Sequence, residues 1–360
     1  RPSFATNFFN RSITTFTTFM NNAKTKMKID QSLLTILSRY PTSHLTGCGR
    51  SVSLLAEYSS LSKNNRKKIA NVIVFNDLFA KLISHDTESD EEYQSLSYLI
   101  LSLLQYDLNF ASLINNDLNF AILPSFIFDA GINEITRSLL AAILSAIVIF
   151  NKTLRQICAS SEFINASKDA IQEAKNSQFI LWLLILLKRS FSLFSADFSC
   201  FYNSSSHIQI AVCLFHQNPE VRAAAISALS CFMQSKECTL NLHLILFSIS
   251  LFNDASYLVR YQLLLLLSRF LSSVRVINDD STYMSVSSSS IKHHAFNSLL
   301  SMWLNSENVP KNFEEYAMAV DKISHLEESH NYVIGIISFL IDYFIHDPHP
   351  SIQKFAIKMY

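Results

Sequence analysis

Apolar positions in this chain gather at helical spacing into segments bounded by short polar joints. The pattern predicts helices over Asn7 to Asn22, Gln31 to Leu37, Gly49 to Tyr58, Val74 to Ile83 and Tyr93 to Gln105. It predicts more over Phe110 to Ile114, Leu118 to Phe128, Ile135 to Phe150, Leu154 to Ala159 and Lys168 to Lys175. From Phe179 onward, helical stretches of about 15 residues alternate with short joints. KNNRKK, residues 63 to 68, reads as a polar basic joint, and HDTESDEE, residues 85 to 92, as a solvated acidic loop. The charges of that loop suit the N-terminus of the helix that follows it.

One joint recurs. HQNPEVRAAAISAL (216 to 229), NDASYLVRYQLLLLLSRFL (253 to 271) and HDPHPSIQKFAIKMY (346 to 360) each run from a polar turn into a helix that carries Val or Ile followed by Arg or Gln. Asp or Asn ends one helix, Pro or a cap opens the next, and Val221, Val259 and Ile352 are placed to enter the core. Such a joint is the turn of a stacked helical hairpin. Arg222 and Arg260 lie 38 positions apart, within the period expected of a solenoid whose units bury their apolar faces only against their neighbours. The predicted class is therefore an all-α solenoid. The third copy is later than the period allows, 93 positions from Arg260 to Gln353, so something is inserted. NDDSTYMSVSSSS (278 to 290), Ser-rich, followed by a helix candidate over Phe296 to Leu304 and a polar stretch over Asn312 to His330, fills the gap. The expected organisation is a solenoid over 1–277, an insertion over 278–330 and a last repeat over 331–360.

Composition agrees with long helices: 49% hydrophobic residues with 4 Gly and 7 Pro in 360 leave too few turn formers for a many-stranded sandwich or a Gly-rich nucleotide site. With 29 basic and 29 acidic residues, no bulk field draws the chain to nucleic acid or anionic lipid, and a protein partner is the expectation. Mean hydropathy is +0.21, yet the longest apolar runs, such as Ser138 to Phe150 and Val333 to Ile345, fall short of the roughly 20 residues that span a bilayer. The start at Arg1 without Met, and the end at Tyr360 inside a helix, read as an excerpt of a longer protein.

Chemistry is sparse. The chain holds no phosphate-cradling Gly loop, no H-E-x-x-H and no nucleophile elbow. The six cysteines form no C-x-x-C pair and read as buried free thiols; His293-His294 has no spaced carboxylate or thiol to complete a metal site. Asp347, between His346 and His349, reads as a helix cap, and a phosphate on the Ser-rich insertion would meet Lys292, His293 and His294. Arg222 and Arg260 are read as bridging acidic groups of adjacent turns. No catalytic residue, metal or cofactor is expected, and the weak candidates for partner binding are the turn residues Glu220, Arg222, Asp254 and Arg260.

PEVRAAAISAL (219 to 229), DASYLVRYQLLLLLS (254 to 268), the insert and DPHPSIQKFAIKM (347 to 359) together resemble the HEAT/armadillo-type repeat region of the raptor family, regulatory subunits of the TOR kinase complex. The copy after a long low-complexity insertion lacks the usual Arg in that family too, as Gln353 does here. TRSLLAAILSAIVIFN (136 to 151) and FILWLLILLKRSF (179 to 191) resemble two more of its helices, and FFNRSITTFTTFM (8 to 20) and VFNDLFAKLI (74 to 83) are similar in the same order. The chain departs at His216, where the family's turn has Asp, at Ala174 and Ile180, where it has Asp and Arg, and in its shorter insert.

The resemblance implies a HEAT/armadillo α-solenoid in a non-catalytic scaffold that binds TOR kinase, its substrates and Rag-type small GTPases. It implies growth regulation in response to nutrients, a cytoplasmic protein recruited to the lysosome or vacuole surface, a caspase-like domain before Arg1 and WD repeats after Tyr360. The alternative is a HEAT scaffold of another class, a transport receptor or a phosphatase scaffold.

Overall fold

The computed structural model describes residues 52–53, 55–56, 59, 63–70, 75–84, 89–107, 122–192, 210–231, 245, 248–277 and 329–359. All regular structure among them is helical. In chain order the α-helices are α1 Lys63–Ala70, α2 Phe75–Ser84, α3 Asp90–Tyr106, α4 Leu123–Phe128, α5 Glu134–Ile147 and α6 Lys152–Cys158. They continue as α7 Ser161–Glu173, α8 Ser177–Ser192, α9 Pro219–Leu229, α10 Tyr257–Ile277, α11 Ser329–Ile345 and α12 Pro350–Met359, with a 3-10 turn at Cys213–Phe215 before α9. The chain divides into two compact units, 1–195 and 196–360.

In the first unit α5 is the centre, packed against α3 and α8, with α4 beside it and α6 and α7 covering α8. Its sequence explains this: every residue from Ser138 to Val148 is buried, as a helix sandwiched between neighbours requires. Small residues make the close approach possible, Ala141, Ala142 and Ala146 being fully enclosed among Leu139, Leu140, Ile143 and Ile147. The repeat length appears directly in hydrogen bonds between stacked helices. Ser53 Oγ donates to Ser95 Oγ at 3.2 Å and Ser102 Oγ to Ser59 Oγ at 2.8 Å, across 42 and 43 residues of chain.

In the second unit α9 packs on α10, and α10 packs on both α11 and α12, which also pack on each other. Val221, Val259 and Ile352 are each fully buried, as their place in the recurrent joint predicts. The fold is thus an α-solenoid of HEAT/armadillo-type hairpins, as expected. The residues that precede its core helices, Ser89, Asn133, Asn176, Asn218 and Ser256, are spaced 44, 43, 42 and 38 apart.

Three local expectations change. KNNRKK is the body of helix α1, not a joint; Ile69 is buried at 1% exposure and Arg66 donates to Gln105 Oε1 of α3, so packing supplies what an unbroken polar run hides. The helix expected over Lys168 to Lys175 begins earlier, at Ser161, because the Ser160 hydroxyl accepts from the Phe163 amide, and Phe163, Ile164, Ser167 and Ile171 share its buried face. In the acidic loop Ser89 caps α3, while Glu92 is buried and paired with Lys81 at 2.6 Å rather than solvated. The expected helices over Asn7 to Asn22, Gln31 to Leu37 and Phe110 to Ile114, the Ser-rich segment and the candidate at Phe296 to Leu304 lie outside the described residues.

Candidate partner-binding surface

The four candidates lie at one edge of the second unit, where turns open α9 and α10. Each turn is built alike. An acceptor side chain takes the amide two residues on, and an Arg six residues on, in the first helical turn, reaches back over the turn. Asp254 Oδ1 accepts from Ser256 N–H at 2.8 Å, and Asp347 Oδ1 from His349 N–H at 2.8 Å. His216 takes the same role with a ring nitrogen, Nδ1 accepting from Asn218 N–H at 3.0 Å. These are Asx-type turns, and the side chains that make them leave the helices free to begin.

Arg222 lies flat across its own turn and into the next. Nη1 donates to the carbonyls of His216 and Gln217 at 2.7 and 2.9 Å, while Nε and Nη2 clasp both carboxylate oxygens of Asp254 at 2.8 and 3.0 Å. Arg260 repeats the geometry one level on. Its Nη1 donates to the carbonyls of Asp254 and Ala255, and its Nε and Nη2 clasp Asp347 at 2.7 and 3.1 Å. The fork of a guanidinium matches a carboxylate on one edge and carbonyls on the other, which an ammonium cannot do. The upper rung is the drier: the side chains of Arg260 and Asp347 are 10% and 1% exposed. Beside it Tyr257 stacks flat on the His349 ring, centroids 4.1 Å apart.

The reading of Arg222 and Arg260 as bridges between adjacent turns is what the geometry displays. Asp347 does more than the capping expected of it, since it also receives Arg260. The signal was present as a six-residue spacing, His216 to Arg222, Asp254 to Arg260 and Asp347 to Gln353. Glu220, half-buried in the first turn of α9, sits where the helix dipole favours a negative charge. His346 is exposed and His349 half-buried.

A second pairing occurs within each unit, at the C-terminal ends of core helices, and the sequence reading missed it. Arg189 Nη1 of α8 donates to the Ser145 carbonyl in the last turn of α5 at 2.7 Å, and Arg269 Nη1 of α10 to the Ser230 hydroxyl at the C-cap of α9 at 2.6 Å. Both arginines stand thirteen residues after their turn, Asn176 and Ser256, and both serines twelve after theirs, Asn133 and Asn218. Burial lowers the Arg189 guanidinium to about 10.

Cys158 and Cys213 are buried thiols outside any disulfide, and burial pushes both up to about 12, far from the thiolate a nucleophile needs. Among the described residues no cluster of His, Cys, Asp and Glu could hold a metal ion, and no helix is long and apolar enough to cross a membrane.

No protein-family model matches the chain, and no curated protein matches it in sequence. Solved structures do match in fold. Raptor from Chaetomium thermophilum is similar over 98% of this chain, at 17% identity and a TM-score of 0.57, although the match covers 32% of that protein. An engineered protein is similar over 91% of this chain and 76% of its own, at 12% identity and a TM-score of 0.56. A designed armadillo repeat protein in complex with a (KR)4 peptide is similar over 66% of this chain and 98% of its own, at 13% identity and a TM-score of 0.50. These likenesses are of fold.

Proposed function

We propose that this chain is the helical-repeat part of a raptor-like, non-catalytic scaffold that docks TOR kinase, its substrates and Rag-type GTPases and is recruited to the lysosome or vacuole surface. The observation that supports this most is the Arg260 to Asp347 rung. It joins α10 to the turn before α12 across 87 residues of chain, which is in keeping with a third sequence copy that follows α10 in the stack. Repeat, repeat, insertion, repeat is the order by which the sequence resembles the raptor family, and the likeness to Raptor over 98% of the chain is in keeping with it. The proposed division is a solenoid over 1–277, an insertion over 278–330 and a last repeat over 331–360.

Such a scaffold works by holding kinase and substrate together, so that the second encounter is intramolecular and the effective concentration rises. The polar turn edge with Glu220, Arg222, Asp254 and Arg260 is the docking edge in this reading. Arg222, Asp254 and Arg260 fix its shape, and Glu220 stands beside them in the first turn of α9. Co-purification of the intact protein with TOR kinase tests the reading. Loss of the kinase on Glu220→Arg, with unfolding unchanged, supports the edge; an intact protein that never retains the kinase overturns the assignment. The second reading, a HEAT scaffold of another class, is favoured by the engineered protein's nearly equal TM-score. Further HEAT hairpins flanking this chain, in place of WD repeats, would decide for it.

A further inference from the structure

We propose that the turn at His216 is a pH-sensitive joint, in which protonation of the imidazole releases the Asn218 amide and loosens the start of α9. The inference does not depend on which partner the solenoid binds. It starts from the contrast among three turns of one design. Two use a carboxylate, Asp254 and Asp347, to accept the amide two residues on. A carboxylate remains an acceptor throughout the neutral range. The third uses His216, whose Nδ1 accepts from Asn218 N–H at 3.0 Å. That bond requires the neutral ring with its proton on Nε2, a tautomer assigned by the amide donor. A protonated imidazole donates from both nitrogens and has no lone pair for the amide.

The charge that acts on this ring is that of Arg222 in α9, with Glu220 in the same helical turn and Asp254, from the turn before α10, reached through Arg222. Asp254 is already clasped by Arg222, whose Nη1 also lies on the His216 carbonyl at 2.7 Å. A cation formed on the ring would therefore stand beside a guanidinium fixed by two turns. Burial holds the imidazole below its ordinary 6.5, with the Arg222 charge acting in the same sense. A backbone contact at Asn218 acts in the opposite sense, but the amide N–H of that residue is the group aimed at Nδ1. Because the folded value is depressed, the turn's contribution to stability is fully present above 6.5 and is lost as pH falls through the folded value. Asn218 itself caps α9 by accepting from Glu220 N–H at 2.8 Å, so its release frays the turn that carries Glu220 and Arg222.

The test is amide hydrogen exchange on the whole chain at pH 8 and pH 5, corrected for intrinsic rates, with His216 titrated by NMR in the same sample. Protection of the Asn218 and Glu220 amides should fall about tenfold at the lower pH, the worth of one hydrogen bond near a charge. His216→Asp should hold protection constant, because it restores the acceptor of the other two turns. His216→Asn supplies a second pH-indifferent acceptor should the added charge beside Glu220 disturb folding. Equal pH dependence in the natural chain and in either variant overturns the proposal, as does a proton found on Nδ1 at pH 8.

Discussion

The two compact units register their turns by different chemistry. In the second, guanidinium forks clasp carboxylates from one turn to the next. In the first, the corresponding positions are Arg137, Ala174 and Ile180, so Arg137 has no carboxylate at Ala174 to clasp. Glu134 takes over from the helix side: its carboxylate oxygens accept from the Lys175 and Asn176 amides at 3.1 and 2.8 Å. Arg137 then lies over the Phe179 ring, 5.0 Å from its centroid, with Glu134 at 3.8 Å. Ile180, where Arg222 and Arg260 stand later, is buried. The register is therefore set by the capped turn and the apolar helix after it, which both units share. The ion-pair row is an addition, and a dry ion pair contributes more to choosing one alignment than to net stability.

Breaking the driest rung should do most damage. Asp347→Ala leaves the Arg260 guanidinium buried without its partner, and urea unfolding should show a loss of about 3 to 5 kcal/mol. A loss under about 1 kcal/mol would mean that water reaches Arg260 freely. Asp254→Ala removes the wetter rung, whose arginine side chain is 17% exposed, and should cost about 2 kcal/mol. Arg137→Ala in the first unit removes only an aromatic contact and a long ion pair, so about 1 kcal/mol is expected. If it matches Asp347→Ala, the two chemistries are equivalent and the comparison fails. Smallest should be Arg269→Ala: the residue is exposed, and loss of its bond to Ser230 should register at about 0.5 to 1 kcal/mol. Arg189→Ala, which breaks the corresponding and drier pairing within the first unit, should exceed it, and hydrogen exchange at the last turn of α5 reads that locally.

Much of the second unit was legible because its joints carry their instructions in side chains: Asn218 before Pro219, Asp254 two residues before Ser256, Val then Arg in the first turn. The first unit was harder to read as a repeat. Its turns at Asn133 and Asn176 share the spacing of 43 residues but not the Asp and Arg of the later joints, so the sequence marks helices there without marking the period. α1 escaped because its buried contacts fall on Ile69 and the fork of Arg66, too few to create a visible apolar stripe. The destination of each bridge was beyond the sequence as well. Nothing in the chain order says that Arg260 passes over 87 residues to reach Asp347, whereas Arg222 passes over 32 to reach Asp254.

That indifference to chain separation has a consequence for how the protein can change. The entropy of closing a flexible loop grows only with the logarithm of its length, about 0.6 kcal/mol for each doubling. By that scale, doubling or halving the 87 residues of chain between Arg260 and Asp347 would change the closure cost of their clasp by less than the loss of one hydrogen bond. The clasp is a seam indifferent to the length of thread between its two sides, so the chain can gain or shed sequence there while α10 and α12 stay in line.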